Sequence, residues 1–376
     1  MGLAECGRCG RQTKRDSTAS ASSSSVVTHQ ATNVQVVTND WLPDELLPVA
    51  HRLARADACA FDIAELISTW SFAGPIELRP FWIDKNANTF EVRVVRIRPV
   101  PPLVSLRFSE GIHHLRAALD NVVWHLVEQI HGPISDTDAL LVAMPIYEDP
   151  DKYGNWVRRR VKAGLSCFDE ASSLGARIQS LQPFADDTES IASMGELLAL
   201  LTETEREEVH PLLLLQGYSN MDKHRHITVS AARGFNSTYE TPLMTQDRRQ
   251  RPVRVGDVLA SGVWGNPTVL ETNTGATIRR AEAGNAWVNP SKELADLRRY
   301  VADIAVPQLV RGGALPGSLR PNVDLTDTGL SDRDRLCAAG DEDATARFGL
   351  RIATLFEDAV GREPVWLGEP VQDEHS

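Results

Sequence analysis

The chain has 376 residues, of which 42% are hydrophobic and 24% are charged, and these values predict a globular protein with a packed core. Its formal net charge of −12 excludes a global basic field, so nucleic-acid binding would require a local basic patch. No apolar run approaches the ~20 residues that span a bilayer, there is no signal-peptide pattern, and scattered cysteines favour a reducing, cytoplasmic location.

Residues 1–40 are rich in Ser and Thr and lack apolar periodicity, which predicts a disordered tail. This segment contains the pair Cys6-Gly7-Arg8-Cys9. A zinc ribbon needs two such pairs and the sequence has one, so we expect ordinary thiols here, with no metal and no cofactor.

Order is expected from Asp40, an N-cap residue, because apolar residues then recur at helical spacing as far as Trp70. Strands are predicted over 76–83 and 89–97, and the turn-rich loop between them indicates a hairpin. The clearest helix covers 109–130 and is stopped by Gly132-Pro133. Its apolar stripe consists of Ile112, Leu115, Leu119, Val122, Leu126 and Ile130.

The next hundred residues predict one short strand followed by helices. The strand covers 140–147, and the helices lie near 156–164, 169–181, 190–205 and from Pro211 towards Asn220. A composition rich in Val, Thr and Gly then predicts strands at 227–232, 253–264, 268–271 and 277–283. Finally, Asn289-Pro290 opens a helix, which Pro307 and Gly312-Gly313 end.

These elements predict a single α+β domain over 41–313, in which a helical layer around the central helix packs on mostly antiparallel strands. Within it, 41–226 is mainly helical with a hairpin, 227–290 is mainly strands, and 291–313 is the closing helix. Residues 314–376 are acidic and are predicted to be a mostly disordered tail. Apolar spacing in this tail indicates a short helix at 343–360, which either docks on the body or binds a protein partner.

Polar residues flank the apolar stripe of helix 109–130. Arg116, Asp120 and Trp124 fall on one side of the stripe, and His125 falls on the other. Arg116 and Asp120 are spaced i,i+4 and can form an ion pair. Two interpretations stay open: the residues line a small polar pocket, or they fix this helix against its neighbours.

The densest polar run of the chain is Asn220-Met221-Asp222-Lys223-His224-Arg225-His226. It can be a folding clamp in which Lys223 or Arg225 pairs with Asp120. It can also bind an anion through Lys223, His224 and Arg225, or supply His224 or His226 as a general acid or base. A metal site of Asp222, His224 and His226 would lack a fourth ligand, so no metal is expected.

Four segments of the chain resemble a group of uncharacterised bacterial and phage-associated proteins. They are Leu115-Arg116-Ala117-Ala118-Leu119-Asp120 with Trp124, Met144-Pro145-Ile146, Leu181-Gln182-Pro183, and Asn220 to Arg225. The resemblance implies a shared domain and no particular activity. A second, weaker resemblance is to the HEPN helical RNases, through Arg206-Glu207-Glu208-Val209-His210, in which the Arg-to-His spacing is one residue short.

Another basic segment is Arg158-Arg159-Arg160 with Lys162, which lies near Tyr153 and Trp156 in the sequence. Cations beside aromatic rings can hold RNA or DNA, although a solvated helix face explains the same pattern.

Two functions are consistent with these patterns. The favoured hypothesis is a non-enzymatic binding or regulatory protein, for example of a defence or mobile-element system, because the sequence contains no complete catalytic motif. The alternative is an enzyme that cleaves nucleic acid or another phosphoester with His224, Arg225 and His226.

Overall fold

The computed structural model describes residues 41–224, 227–237, 251–265, 271–282, 284, 286–313, 319–359 and 369–372. Arg225, His226 and the whole 1–40 segment lie outside these residues. The described chain is an α+β protein with antiparallel sheets, as the sequence predicts.

The helices are α1 (Leu47–Phe72), α2 (Leu103–His131), α3 (Asp136–Ala139), α4 (Pro150–Lys162), α5 (Ser173–Ser180), α6 (Glu196–Thr202), α7 (Pro211–His224), α8 (Pro290–Tyr300), α9 (Val306–Arg311), α10 (Asp332–Ala338) and α11 (Ala344–Ala359). The strands are β1 (Ile76–Asp84), β2 (Thr89–Ile97), β3 (Ile191–Ala192), β4 (Glu208–Val209), β5 (Val229–Ser237), β6 (Arg251–Pro252), β7 (Val258–Val263), β8 (Glu271–Arg279) and β9 (Trp287–Val288).

The strands form three antiparallel sheets. The predicted hairpin is confirmed as β1–β2, and β7 extends it to the order β1-β2-β7. A second sheet has the order β6-β5-β8-β9, and the short strands β3 and β4 pair with each other. The predicted strand at 268–271 falls largely on residues outside the described part of the chain.

Helix α2 is the central helix, because it packs on α1, α7, α8 and α9. Its predicted stripe is buried at Ile112, Leu115, Leu119 and Val122, whereas Leu126 is half-buried and Ile130, in the last turn, is 60% exposed. On its α8 side, a Cβ at Gly111 would lie 2.5 Å from a methyl group of Leu294, so glycine permits the close approach of α8. The helix ends as predicted, with Gly132 in a positive-φ conformation of 86°.

Two local predictions are wrong. Residues 140–147 form no strand, because the backbone groups of this segment bind side chains from elsewhere in the chain. The segment predicted as a helix at 190–205 is instead β3, the short helix α6 and the approach to β4.

The closing helix begins at its predicted cap, where the Asn289 side chain accepts a hydrogen bond from the Lys292 amide. Contrary to prediction, Pro307 does not end it. A π-helical turn over Val301–Ala305 precedes the proline, and Pro307 occupies the first turn of α9. Proline is tolerated there because the first-turn amides of a helix need no intrahelical acceptor.

The domain boundary predicted at 313 is also wrong, since residues 319–359 belong to the folded body. Leu319, Leu336 and Ala344 are buried in the main core. The predicted helix at 343–360 exists as α11 and docks on α1, where buried Asp57 accepts a hydrogen bond from the Ala344 amide at 3.0 Å and forms an ion pair with Arg347 at 2.8 Å. None of the helices in the described ranges combines the length and apolarity that a bilayer-spanning segment requires.

Candidate functional site

The Arg116–Asp120 pair binds the backbone of Met144 on both sides. Arg116 Nη2 donates to the Met144 carbonyl at 2.6 Å, and the Met144 amide donates to Asp120 Oδ1 at 2.9 Å. The two side chains also form an i,i+4 ion pair at 3.4 Å. The pair therefore fixes α2 against residue 144.

Gln182 binds the same segment from the opposite side. It is fully buried, its Nε2 donates to the Pro145 carbonyl at 3.0 Å, and its Oε1 accepts from the Tyr147 amide at 3.0 Å. A third bond runs from Nε2 to the Ile178 carbonyl in α5, the helix that ends just before Gln182. Gln182 is thus bound through both ends of its amide and fastens α5 to residues 145–147.

We call Arg116, Asp120, Gln182 and the segment 144–147 the backbone clamp. It unites three of the four segments that carry the family resemblance. These polar side chains replace the hydrogen bonds that a neighbouring strand would give the segment. The interpretation of Arg116 and Asp120 as residues that fix a helix is therefore the one the geometry supports.

The remaining flanking residues of α2 are not gathered into a polar pocket. Trp124 is partly buried against the main core. His125 is half-buried, and its Nε2 has no hydrogen-bond partner among the described residues.

The polar run begins at the end of α7, next to the first turns of α2. Ser109 Oγ donates to Asp222 at 2.6 Å, Gln216 donates to Asn220 at 2.9 Å, and Lys223 is exposed. His224 is the last residue of α7. Arg225 and His226 lie outside the described residues, so their proposed catalytic or anion-binding roles stay predictions.

Lys223 does not pair with Asp120. Asp120 is eleven residues beyond Ser109, which is roughly 16 Å at about 1.5 Å per helical residue. Since Ser109 contacts Asp222, the run meets α2 about three turns away from Asp120. The helices do lie side by side, but the carboxylate pairs with its neighbour Arg116 and with Met144.

The Arg206–His210 motif is engaged in local structure. Arg206 pairs with Glu208 at 2.5 Å. His210 is buried, and its Nδ1 accepts from the Leu212 amide at 3.1 Å at the start of α7. Burial lowers the pKa of His210, which favours the neutral imidazole that accepts this bond. The arrangement is that of a helix cap.

Beside the backbone clamp lies a cleft on α4, which we call the α4 cleft. Its volume is about 440 Å³, within the range of small-molecule sites. The clamp supplies one wall, because Gln182 holds Tyr147 by its backbone. The lining residues are Tyr147, Lys152, Asn155, Trp156, Arg159 and Arg160.

Aromatic packing fixes the floor of the α4 cleft. Trp156 is largely buried and packs edge-on against Phe168, with ring centroids 5.0 Å apart. The Arg160 guanidinium lies over the Trp156 ring, 4.3 Å from its centroid, and Arg160 Nε donates to the Leu141 carbonyl at 3.2 Å. This guanidinium plane is thus held in place before any ligand arrives.

The charge of the α4 cleft is positive. Lys152, Arg159 and Arg160 line it, and none of the six lining residues is acidic. Arg159 is exposed and has no ion-pair partner among the described residues. Burial lowers the pKa of Arg160, and the adjacent positive charge of Arg159 lowers it further. A bound anion would relieve this crowding of cations.

The sequence did not predict the most deeply buried charged pair of the described residues. Arg280 Nε donates to Glu293 at 2.9 Å, and Tyr218 donates to the same carboxylate at 3.0 Å. Arg280 also donates to the carbonyls of Ile191 and Glu207, at 2.6 and 2.7 Å. Only spatial proximity reveals this group, because Tyr218, Arg280 and Glu293 are widely separated in the sequence.

No three His, Cys, Asp or Glu side chains converge as metal ligands in the described ranges.

Comparisons with protein-family models, curated proteins and solved structures find no match, so the family resemblance stays a prediction.

Proposed function

We propose that this protein is a non-enzymatic binding protein for single-stranded nucleic acid and that the α4 cleft is its site. The observation that carries the proposal is a cleft lined by three cations and two aromatic rings, without a carboxylate, in a chain of net charge −12. This is the local basic patch that the overall composition requires for such a role.

The cleft offers both kinds of contact that a single strand needs. Arg159 provides an exposed cation for phosphate oxygens, and exposed Lys152, which pairs with Asp149 at 3.6 Å, provides a second. Tyr147 and the Arg160 guanidinium provide surfaces on which a base can stack. A volume of about 440 Å³ suits one nucleotide, and exposed Arg158 and Lys162 continue the positive surface along α4.

The enzyme hypothesis gains no comparable support. Of its three residues, His224 ends α7, and Arg225 and His226 lie outside the described part of the chain. The non-enzymatic hypothesis is therefore retained, now with a defined ligand class.

Fluorescence anisotropy with a labelled mixed-sequence single strand, at several salt concentrations, tests the proposal. Arg159→Glu should weaken binding at least tenfold, and the salt slope should fall by about one for each phosphate that the variant no longer binds. Tyr147→Leu should also weaken binding, by about 1 kcal/mol or more per unstacked base, while leaving the salt slope unchanged.

The matched control is Lys85→Glu, which makes the same charge change in the exposed turn of the β1–β2 hairpin. If Lys85→Glu and Arg159→Glu lose affinity equally, the loss comes from the change in net charge and not from the cleft. Failure of the native protein to bind the strand would refute the proposal outright.

A further inference from the structure

Helix α6 presents its large apolar residues to solvent. Leu197 and Leu200 are 69% and 74% exposed, and Leu198 and Leu201 are 40% and 39% exposed. Of its seven residues only Thr202 is buried, with Ala199 half-buried. The helix thus packs by its small side chains and turns its leucines outward, which is the reverse of an ordinary surface helix.

The loop that carries α6 is firmly held at its base. It joins β3 to β4, and Ser193 and Glu207 pair across it through a backbone bond of 2.9 Å. Buried Arg280 donates to the carbonyls of Ile191 and Glu207, one on each side. An exposed apolar helix on a rigid base is suited to binding a partner, because it would lose little conformational entropy on docking.

The leucine spacing matches a known mode of recognition. Leu197, Leu200 and Leu201 stand at i, i+3 and i+4, which is the pattern of a helix that inserts its apolar side into a groove. Contiguous exposed apolar side chains of this kind usually mark an interaction site.

Charge around the helix indicates the partner. Glu196 and Glu205 are exposed carboxylates on either side of the leucines. Self-association through α6 would bring acidic rims together, and like charges facing each other oppose binding. A groove in a different protein, apolar inside and basic at its edges, fits the leucines and pairs with the carboxylates.

We propose that α6 is a docking helix for a partner protein with an apolar groove bordered by Lys or Arg. The helix supplies three leucine anchors, and Glu196 and Glu205 pair with the basic border. This proposal is independent of the α4 cleft and of its ligand.

Site-specific photo-crosslinking in the native cells tests it with the full chain. A benzophenone side chain replaces Leu200, and a control places it at Leu140, which is 87% exposed. We expect a protein adduct from position 200 alone. The crosslinked peptide should be apolar with flanking Lys or Arg, and it identifies a partner for purification.

Binding of the purified partner to variants then decides the chemistry. Leu197→Ser/Leu201→Ser and Glu196→Lys/Glu205→Lys should each weaken binding at least tenfold, with the charge reversal having most effect at low salt. Both pairs change exposed side chains, and an unchanged melting temperature confirms folding. If the leucine variant misfolds, the charge reversal alone still decides.

Three results would overturn the proposal. They are the absence of a specific adduct at position 200, an adduct with a second copy of this chain, and binding that neither double variant weakens.

Discussion

The backbone clamp and the α4 cleft both combine arginine with polar and aromatic neighbours, yet they use these groups differently. In the clamp, the side chains of Asp120 and Gln182 bind backbone groups of residues 144–147, and Arg116 joins them there. In the cleft, Arg159 faces solvent without an ion-pair partner among the described residues. The clamp and the cleft therefore differ in whether a charged side chain is left without an ion-pair partner, and not in the density of polar residues.

The two regions are also physically joined. Gln182 fixes the backbone of Tyr147, and the Tyr147 side chain lines the cleft. A structural residue thereby positions a residue of the proposed binding site, so damage to the clamp should affect both stability and the proposed ligand affinity.

The largest effect is expected at the buried pair, the extreme case of polar groups used for structure. Arg280→Met would leave Glu293, 3% exposed, without its guanidinium partner and should destabilise the fold by about 3–5 kcal/mol. Urea denaturation measures the loss of stability. Arg280→Met/Glu293→Leu should recover much of it, because no uncompensated charge then remains.

Within the clamp, Gln182→Ala should cost about 2–3 kcal/mol, because it leaves the Pro145 carbonyl and the Tyr147 amide unpaired. The same variant should weaken single-strand binding by releasing Tyr147. As a control, Asp120→Ala leaves the Gln182–Tyr147 bond in place and should perturb binding less than Gln182→Ala does. A Gln182→Ala protein with native affinity would show that the clamp and the cleft are uncoupled.

Asp120→Ala should destabilise by about 1–2 kcal/mol, because the Met144 amide loses its acceptor. Asp120→Asn should cost less, since an amide oxygen can still accept. In the double variant Asp120→Ala/Lys223→Ala, the two changes in unfolding free energy should add to within about 0.5 kcal/mol, as expected for distant sites. Marked non-additivity would restore the link between Asp120 and the 220–226 run.

Local patterns predicted the parts of the fold that local physics determines. The β1–β2 hairpin, the stripe of α2 and the Asn289 cap all follow from periodicity and turn chemistry. The i,i+4 spacing predicted the Arg116–Asp120 ion pair. The backbone partners of Asp120 and Arg280 could not be predicted, because their positions depend on the complete tertiary structure. The acidic composition of residues 314–376 suggested a tail, yet a few buried residues, including Leu336, suffice to dock residues 319–359 on the body.

The smallest effect is expected for a carboxylate that is partly exposed and paired with two arginines. Glu110 on α2 accepts from Arg55 and from Arg107, both at 2.7 Å. Burial alone would raise the pKa of Glu110, but the hydrogen bonds and charges of the two guanidinium groups outweigh it and lower the pKa from 4.5 to about 2. The lowered pKa means that folding favours the ionised carboxylate.

The sign of the pH dependence follows directly. Because the folded pKa lies below the unfolded one, the stabilisation is complete above about pH 4.5 and is lost as the pH falls towards about 2. Because 31% of the Glu110 side chain is exposed, solvent screening limits this stabilisation to about 1 kcal/mol. The unfolding free energy of the native protein should therefore exceed that of Glu110→Gln at neutral pH, and the difference should shrink across this acid range. Glu128→Gln changes an exposed residue on the same helix, so its difference in unfolding free energy from the native protein should not shrink as the pH falls. If the difference for Glu110→Gln also stays constant with pH, the arginines stabilise α1 against α2 without the carboxylate charge.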